Sequence, residues 1–142
     1  MTAEEDLRSG VWVRTSGKVS VKDPDTKKDI LFDYWADWAK GDDSCRRDNS
    51  LKFNTNFSGS MSLGSLQCTP GEPSSKAFTW KMDADGKRIS LYNVGDYFPV
   101  DDIDADVLTR TLGYLTIRYK VITVDPAFGT ADTAIFTDVL RR

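Results

Sequence analysis

Histidine is missing from the 142 residues. That absence excludes a Ser–His–Asp triad or a Cys–His nucleophile pair and removes the commonest zinc ligand. Cysteine is scarce: Cys45 and Cys68 stand 23 positions apart, and neither belongs to a Cys-x-x-Cys pair. No glycine-rich phosphate loop occurs, and no apolar run approaches the roughly 18 residues that span a bilayer as a helix. Basic excess is missing as well, with 19 Lys and Arg against 22 Asp and Glu, a net charge of −3. Such a balance speaks against a nucleic-acid partner, whose phosphates require a concentrated basic surface. Behind Met1 comes the polar stretch TAEEDLRSG rather than an apolar leader segment.

What remains is a chain of one ordinary domain's length, with 39% hydrophobic and 29% charged residues, a globular composition. Short alternating runs separated by turn signals predict an all-β domain of about eight or nine strands. Residues 11–21 form the first, with Val11, Val13, Val19 and Val21 of one parity. Leu51, Phe53, Thr55 and Phe57 alternate with polar residues as a half-buried strand, FSGSM reads as a turn, and residues 62–68 as a strand of small residues. Phe78, Trp80 and Met82 lead through DADGK to Ile89 and Leu91. Gly86 is placed there to supply a positive φ, which makes this the clearest hairpin. Pro99 breaks residues 97–100 into an edge or a connection. Residues 107–112, 115–124 and 132–140 complete the strands. One piece departs from the β pattern: Leu31, Phe32, Trp35 and Trp38 recur at helical spacing, so residues 31–38 read as one short amphipathic helix ending at Gly41. Residues 1–9 read as a flexible N-terminal segment of a single domain covering 1–142.

The two cysteines leave two readings, a disulfide or a pair of inert buried thiols. A bridge closing a loop of this span stabilises by roughly 3 kcal/mol in the loop-entropy model, and it persists only in an oxidising compartment.

Several residues in order carry a resemblance. Gly10-Val11-Trp12 opens the first strand. Cys45 is followed by Asp48, by Leu51-Lys52-Phe53 and by Gly59; Cys68 precedes Thr79-Trp80, Asp85-Gly86 and Ile89-Ser90-Leu91. In this series the chain resembles the lipocalin-like domains of bacterial envelope lipoproteins. The resemblance implies a small antiparallel lipocalin-like barrel with an internal cavity or cleft, and export to the periplasm or outer membrane. It also implies a lipid anchor attached upstream. One departure concerns Trp12, which points into the barrel in lipocalins. Here the valines claim the interior by alternation, so either the strand carries a bulge or Trp12 covers the base from outside.

The candidate ligand-binding residues are Tyr34, Trp35 and Trp38, with Tyr92 and Tyr97. As a lid over a barrel mouth, such rings would bury apolar or amphipathic small molecules; the plainer reading is a plug whose rings are core. Residues 101–106, DDIDAD, read as a solvated acidic turn. Asp102, Asp104 and Asp106 match only the first half of a calcium loop, because Val107 and Gly113 stand where glycine and glutamate belong. Arg14 and Arg118 lie in strands, where an inward arginine would fit a ligand carboxylate. No catalytic residue, metal ligand or cofactor is assigned. The leading expectation is a non-enzymatic binding module holding a small molecule in the barrel mouth. The alternative is a structural or interaction domain whose filled barrel meets a protein or glycan through its surface. Interior packing by Phe53, Phe57, Phe78, Trp80 and Met82 would favour the second.

Overall fold

In the computed structural model the chain forms a nine-stranded antiparallel sheet in the order β2-β1-β3-β4-β5-β6-β7-β8-β9, closed by pairing of β1 with β9. Residues 2–23, 25–36, 45, 47–64, 70–95, 97–111, 113–125 and 130–142 are described. The strands are β1 (Val11–Lys22), β2 (Asp29–Phe32), β3 (Ser50–Phe53), β4 (Ser58–Ser62), β5 (Ser75–Met82), β6 (Arg88–Tyr92), β7 (Asp102–Thr111), β8 (Tyr114–Asp125) and β9 (Thr130–Arg141). Eight of them make a closed barrel and β2 is the extra strand; the alternation predicts the all-β class and the strand number, and the resemblance implies the barrel.

The first strand explains the architecture. Trp12 and Arg14 are buried while Val11 and Val13 are exposed. Between Arg14 and Ser16 the register against β9 slips. This bulge inverts the parity, since one extra residue moves every later side chain to the other face. Gly17 is then buried, with Val19 and Val21 half-buried. Four valines of equal parity therefore occupy two faces, and Trp12 points inward.

The long strand β1 also serves two neighbours on one edge. Val11 to Val13 pair with β3, and Val19 to Lys22 pair with β2. Above the barrel the upper parts of β1, β8 and β9 continue with β2 as a projecting arm. There β8 pairs with β9 up to Asp125↔Thr130, whereas its pairing with β7 stops at Asp106↔Arg118.

The core runs through the barrel and contains Trp12, Leu51, Phe53, Met61, Phe78, Trp80, Ile89, Leu91, Leu115 and Ile117. Phe53 meets Phe78 and Trp80 edge to face, with centroids 5.5 and 5.4 Å apart, the arrangement the ring quadrupoles favour. Phe57 is not among them: it is about half exposed, in a turn where Asn56 and Phe57 both take positive φ.

The structure corrects four further expectations. Within FSGSM only Phe57 is turn; Ser58 to Met61 belong to strand β4, since Gly59 leaves room for the Phe78 ring directly above it. The strand expected at 62–68 thus falls at 58–62, and 65–69 lie outside the described residues. DDIDAD is strand rather than turn from Asp102 onward, with Ile103 and Ala105 buried and the aspartates outward. The helix expected at 31–38 begins too early. Leu31 and Phe32 belong to β2, because hydrogen bonding to β1 outweighs their helical spacing, and only 34–36 are helical among the described residues.

The segment expected to be a flexible lead-in contains α1 (Ala3–Arg8), begun by a Thr2–Glu5 capping box. It closes the lower barrel end. Leu7 is fully buried, the Trp12 indole N–H donates to the Leu7 carbonyl at 2.8 Å, and Asp6 meets Arg142 at 3.2 Å and Arg110 at 3.3 Å. The DADGK hairpin holds as expected: Gly86 has φ +71°, and the Asp83 carboxylate accepts from the Lys87 and Arg88 amides.

Trp12→Phe removes the donor to Leu7 and thins the plug. It should lower stability by about 2 kcal/mol in urea unfolding, with hydrogen exchange of the α1 amides accelerated more than that of β8 and β9. Equal acceleration everywhere would mean that Trp12 does not hold the helix.

Candidate functional site

The upper end of the barrel is where the sequence places its aromatic cluster, and the structure builds a polar lock there. Asp138 stands toward the C-terminal end of β9, paired with Gly17 of β1 and Ile117 of β8. It faces inward and is fully buried. Arg14, fixed in the same interior by the strand segment before the bulge, brings its guanidinium to 3.6 Å from Asp138 Oδ2. The Tyr119 hydroxyl donates to Oδ2 at 2.7 Å, and the Tyr34 hydroxyl donates to Oδ1. A second Arg14 bond reaches the Tyr97 carbonyl at 2.8 Å.

Aromatic rings enclose the cation. The guanidinium carbon lies 4.6 Å from the Tyr97 centroid, 4.9 Å from Trp35, 5.0 Å from Phe98 and 5.8 Å from Tyr34. All fall within the range of cation–π attraction, which strengthens when water is excluded. Phe136 stacks on Tyr119 and takes the Tyr34 ring on its edge. The connection between β6 and β7 supplies Val94, Tyr97 and Phe98, all buried, and is closed by the Val94 amide donating to the Asp101 carbonyl at 2.7 Å.

The protonation states follow from burial and charge. Burial pushes the Asp138 carboxyl above the ordinary carboxylate range, while Arg14 and the two tyrosine hydroxyls pull it back. Burial also works against the Arg14 charge, but Asp138 overcomes it and the guanidinium binds its proton more tightly than in water. Tyr34, Tyr97 and Tyr119 are all raised, chiefly by burial, so their hydroxyls stay protonated.

The expected site residues therefore separate. Tyr34 and Tyr97 are buried parts of the lock, and Trp35 is half-buried against Arg14. Tyr92 stands on the outer face of β6, 37% exposed, away from the others, because it falls on the parity opposite Ile89 and Leu91. Trp38 lies outside the described residues. Arg14 does point inward, but its carboxylate partner is the protein's own Asp138; Arg118 points outward, 3.7 Å from Asp106. Asp138 escaped the sequence reading, and Tyr119 entered it only as one face of its strand with Leu115, Ile117 and Val121, not as part of a site. Their inward parity in β9 and β8 was the available signal, set by Leu140 and by Ile117.

On the outer wall, Arg88 bridges Asp104 at 2.7 Å and Asp106 at 2.9 Å. A groove of about 660 Å³ borders this ladder, lined among others by Asp104, Arg118, Lys120 and Ile135. Cys45 is disulfide-bonded, and Cys68 lies outside the described residues. No family model, curated protein or solved structure matches the chain.

Two predictions follow from the lock. A Cβ on Gly17 would stand 2.6 Å from the Tyr34 ring, so Gly17→Ala should cost about 1–3 kcal/mol, although alanine normally suits a strand interior better. A neutral or stabilising result in thermal unfolding would show that Tyr34 is free to move. Arg14→Met removes the largest of the influences that hold the Asp138 carboxyl down, so its folded value rises further. Stability from such a group is full below the unfolded value near ~3.9 and is lost as pH rises through the folded value. The variant should fall progressively behind the wild type with rising pH, by about 3 kcal/mol near neutrality. Urea unfolding across pH checks this, and a gap independent of pH would contradict it.

Proposed function

We propose that the chain is a non-enzymatic interaction domain whose barrel is filled and whose projecting arm meets a protein partner. The observation that carries this is the placement of apolar surface. Phe53, Phe78, Trp80 and Met82 fill the interior, and Tyr34, Tyr97 and Phe98 stand in the mouth where a small ligand would enter. On the arm, by contrast, Leu31 is 65% exposed, Ile122 66% and Phe32 47%, with Ile30 and Ile135 also exposed. Clustered exposed apolar residues framed by charge fit a partner surface better than solvent. They occupy both faces of the arm, since Ile30 and Phe32 pair with Val21 and Val19 on the inner face while Leu31 pairs with Ser20 on the outer. A protein can cover both faces; a pocket-bound molecule covers one.

The setting belongs to the same proposal. A bridge from Cys45 to Cys68, the only other cysteine, together with the lipocalin-like order of residues, supports an oxidising extracytoplasmic compartment of the bacterial envelope. An amphipathic small molecule in the mouth is the reading set aside, because three of the rings expected to line it, Tyr34, Trp35 and Tyr97, are occupied with Arg14 and Asp138.

Photoreactive residues at positions 31 and 122, introduced in the cells that make the protein, should give discrete crosslinked products. The same residue at positions 108 and 114, exposed on the barrel wall away from the arm, should give none. Equal crosslinking at all four positions, or none at 31 and 122, overturns the proposal.

A further inference from the structure

The arm has two open edges, and they match each other. β2 ends the strand order and pairs with β1 alone. On the opposite side, β8 above Arg118 has left β7 and pairs with β9 alone, as far as Asp125. Along each edge, backbone amides and carbonyls on one side of the strand lack a neighbouring strand among the described residues. Such an edge is a template for another strand.

Direction comes first. β2 is antiparallel to β1, β1 to β9 and β9 to β8, so β2 and β8 run in opposite directions. A strand equivalent to β2, delivered to the β8 edge by a neighbouring copy of the same orientation, would continue the antiparallel pattern. Side chains come second. Leu31, paired with Ser20, lies on the outer face, as do Lys120, paired with Ile135, and Ile122, paired with Thr133. Phe32 and Val121 lie on the inner face, paired with Val19 and Ala134. An antiparallel register with Leu31 opposite Ile122 sets Phe32 opposite Val121 and Asp33 opposite Lys120. Two apolar pairs thus fall on matching faces, the cross-strand combinations that stabilise a sheet, and the acidic Asp33, just past the end of β2, comes beside the basic Lys120. Leu31, Phe32, Asp33, Lys120 and Ile122 are all exposed, and the groove beside Arg118 and Lys120 lies along this stretch of β8.

We propose that a second copy of this chain is a partner of the arm, with β2 of one copy adding antiparallel to the upper edge of β8 of the next. This rests on the arm being an interaction surface and names its occupant. The contact is heterologous, since β2 and β8 are different surfaces, so each added copy leaves a fresh β2 and a fresh β8 edge at the two ends. Two-fold pairing of β2 with β2 about Leu31 is disfavoured, because it sets Asp29 opposite Asp33, like charge on like charge.

Sedimentation of the full chain over a wide concentration range tests this. The wild type should show a weight-average mass that rises past the dimer. Leu31→Asp disables the β2 edge and Ile122→Asp disables the β8 edge; both sites are two-thirds exposed, so both variants should melt as the wild type does. Each alone should remain monomeric. Mixed in equal amounts they should form a dimer and stop there, because one copy keeps only its β8 edge and the other only its β2 edge. A wild type that is monomeric throughout overturns self-addition, and foreign-protein crosslinks at position 31 would then leave the interaction reading standing. A dimer of Ile122→Asp alone would also overturn the pairing, in favour of β2 against β2. Loss of both association and crosslinking removes both readings.

Discussion

A buried ion pair fixes what the upper end of this barrel can be. Arg14 and Asp138 lie on adjacent strands inside the closed sheet, and neither can be left alone there. Taking two charges out of water costs several kcal/mol each, and removing one partner typically destabilises by about 3–5 kcal/mol. The pair is tolerable because every surrounding group serves it: two tyrosine hydroxyls donate to the carboxylate, a main-chain carbonyl accepts from the guanidinium, and four rings present their faces to the cation. Those obligations position Tyr34, Trp35, Tyr97 and Phe98. The connection between β6 and β7 is thereby drawn into the mouth, and Tyr34, Trp35 and Tyr97, rings that a ligand would have met, are already engaged.

The bulge in β1 makes this arrangement compatible with the rest of the strand. Before it, inward parity delivers Trp12 to the lower plug and Arg14 to the lock. After it, inward parity belongs to Gly17, whose missing side chain admits the Tyr34 ring, and then to Val19 and Val21. Without the extra residue Ser16 and Lys18 would face inward and Gly17 outward, and Tyr34 could not approach Asp138. One unpaired position joins two differently furnished halves of a single strand.

Much of the barrel was legible in the sequence because most strands show clean alternation: Phe78, Trp80 and Met82, then Ile89 and Leu91, then Leu115, Ile117, Tyr119 and Val121. Gly86 marked its turn for a local reason, a positive φ. The failures were failures of context. The spacing of Leu31, Phe32 and Trp35 suits a helix until the free edge of β1 offers hydrogen bonds that make Leu31 and Phe32 strand. Three alternating aspartates look like an acidic turn until Arg88 and Arg118 lie across the strands from them. Glycine and serine at 58–62 resemble a turn until Phe78 needs the space above Gly59. For the candidate site, Tyr34, Trp35, Tyr97 and Arg14 were legible as distinctive, but their mutual engagement was not, because Asp138 sits 124 positions from Arg14 and nothing local to either announces the other.

The arm follows from the same closure. A barrel abolishes its edges only where every strand has two neighbours. Here β1, β8 and β9 are longer than the wall they complete, so their upper parts leave the barrel as a sheet with two boundaries. Soluble proteins commonly blunt such boundaries with charge, and Asp29, Asp33 and Lys120 are present. These charges are of opposite sign on the two edges, however, while Leu31 and Ile122 stand beside them exposed. Like charges on both edges would keep copies apart. Opposite charges beside matching apolar residues leave each edge protected against its own kind and open to the other.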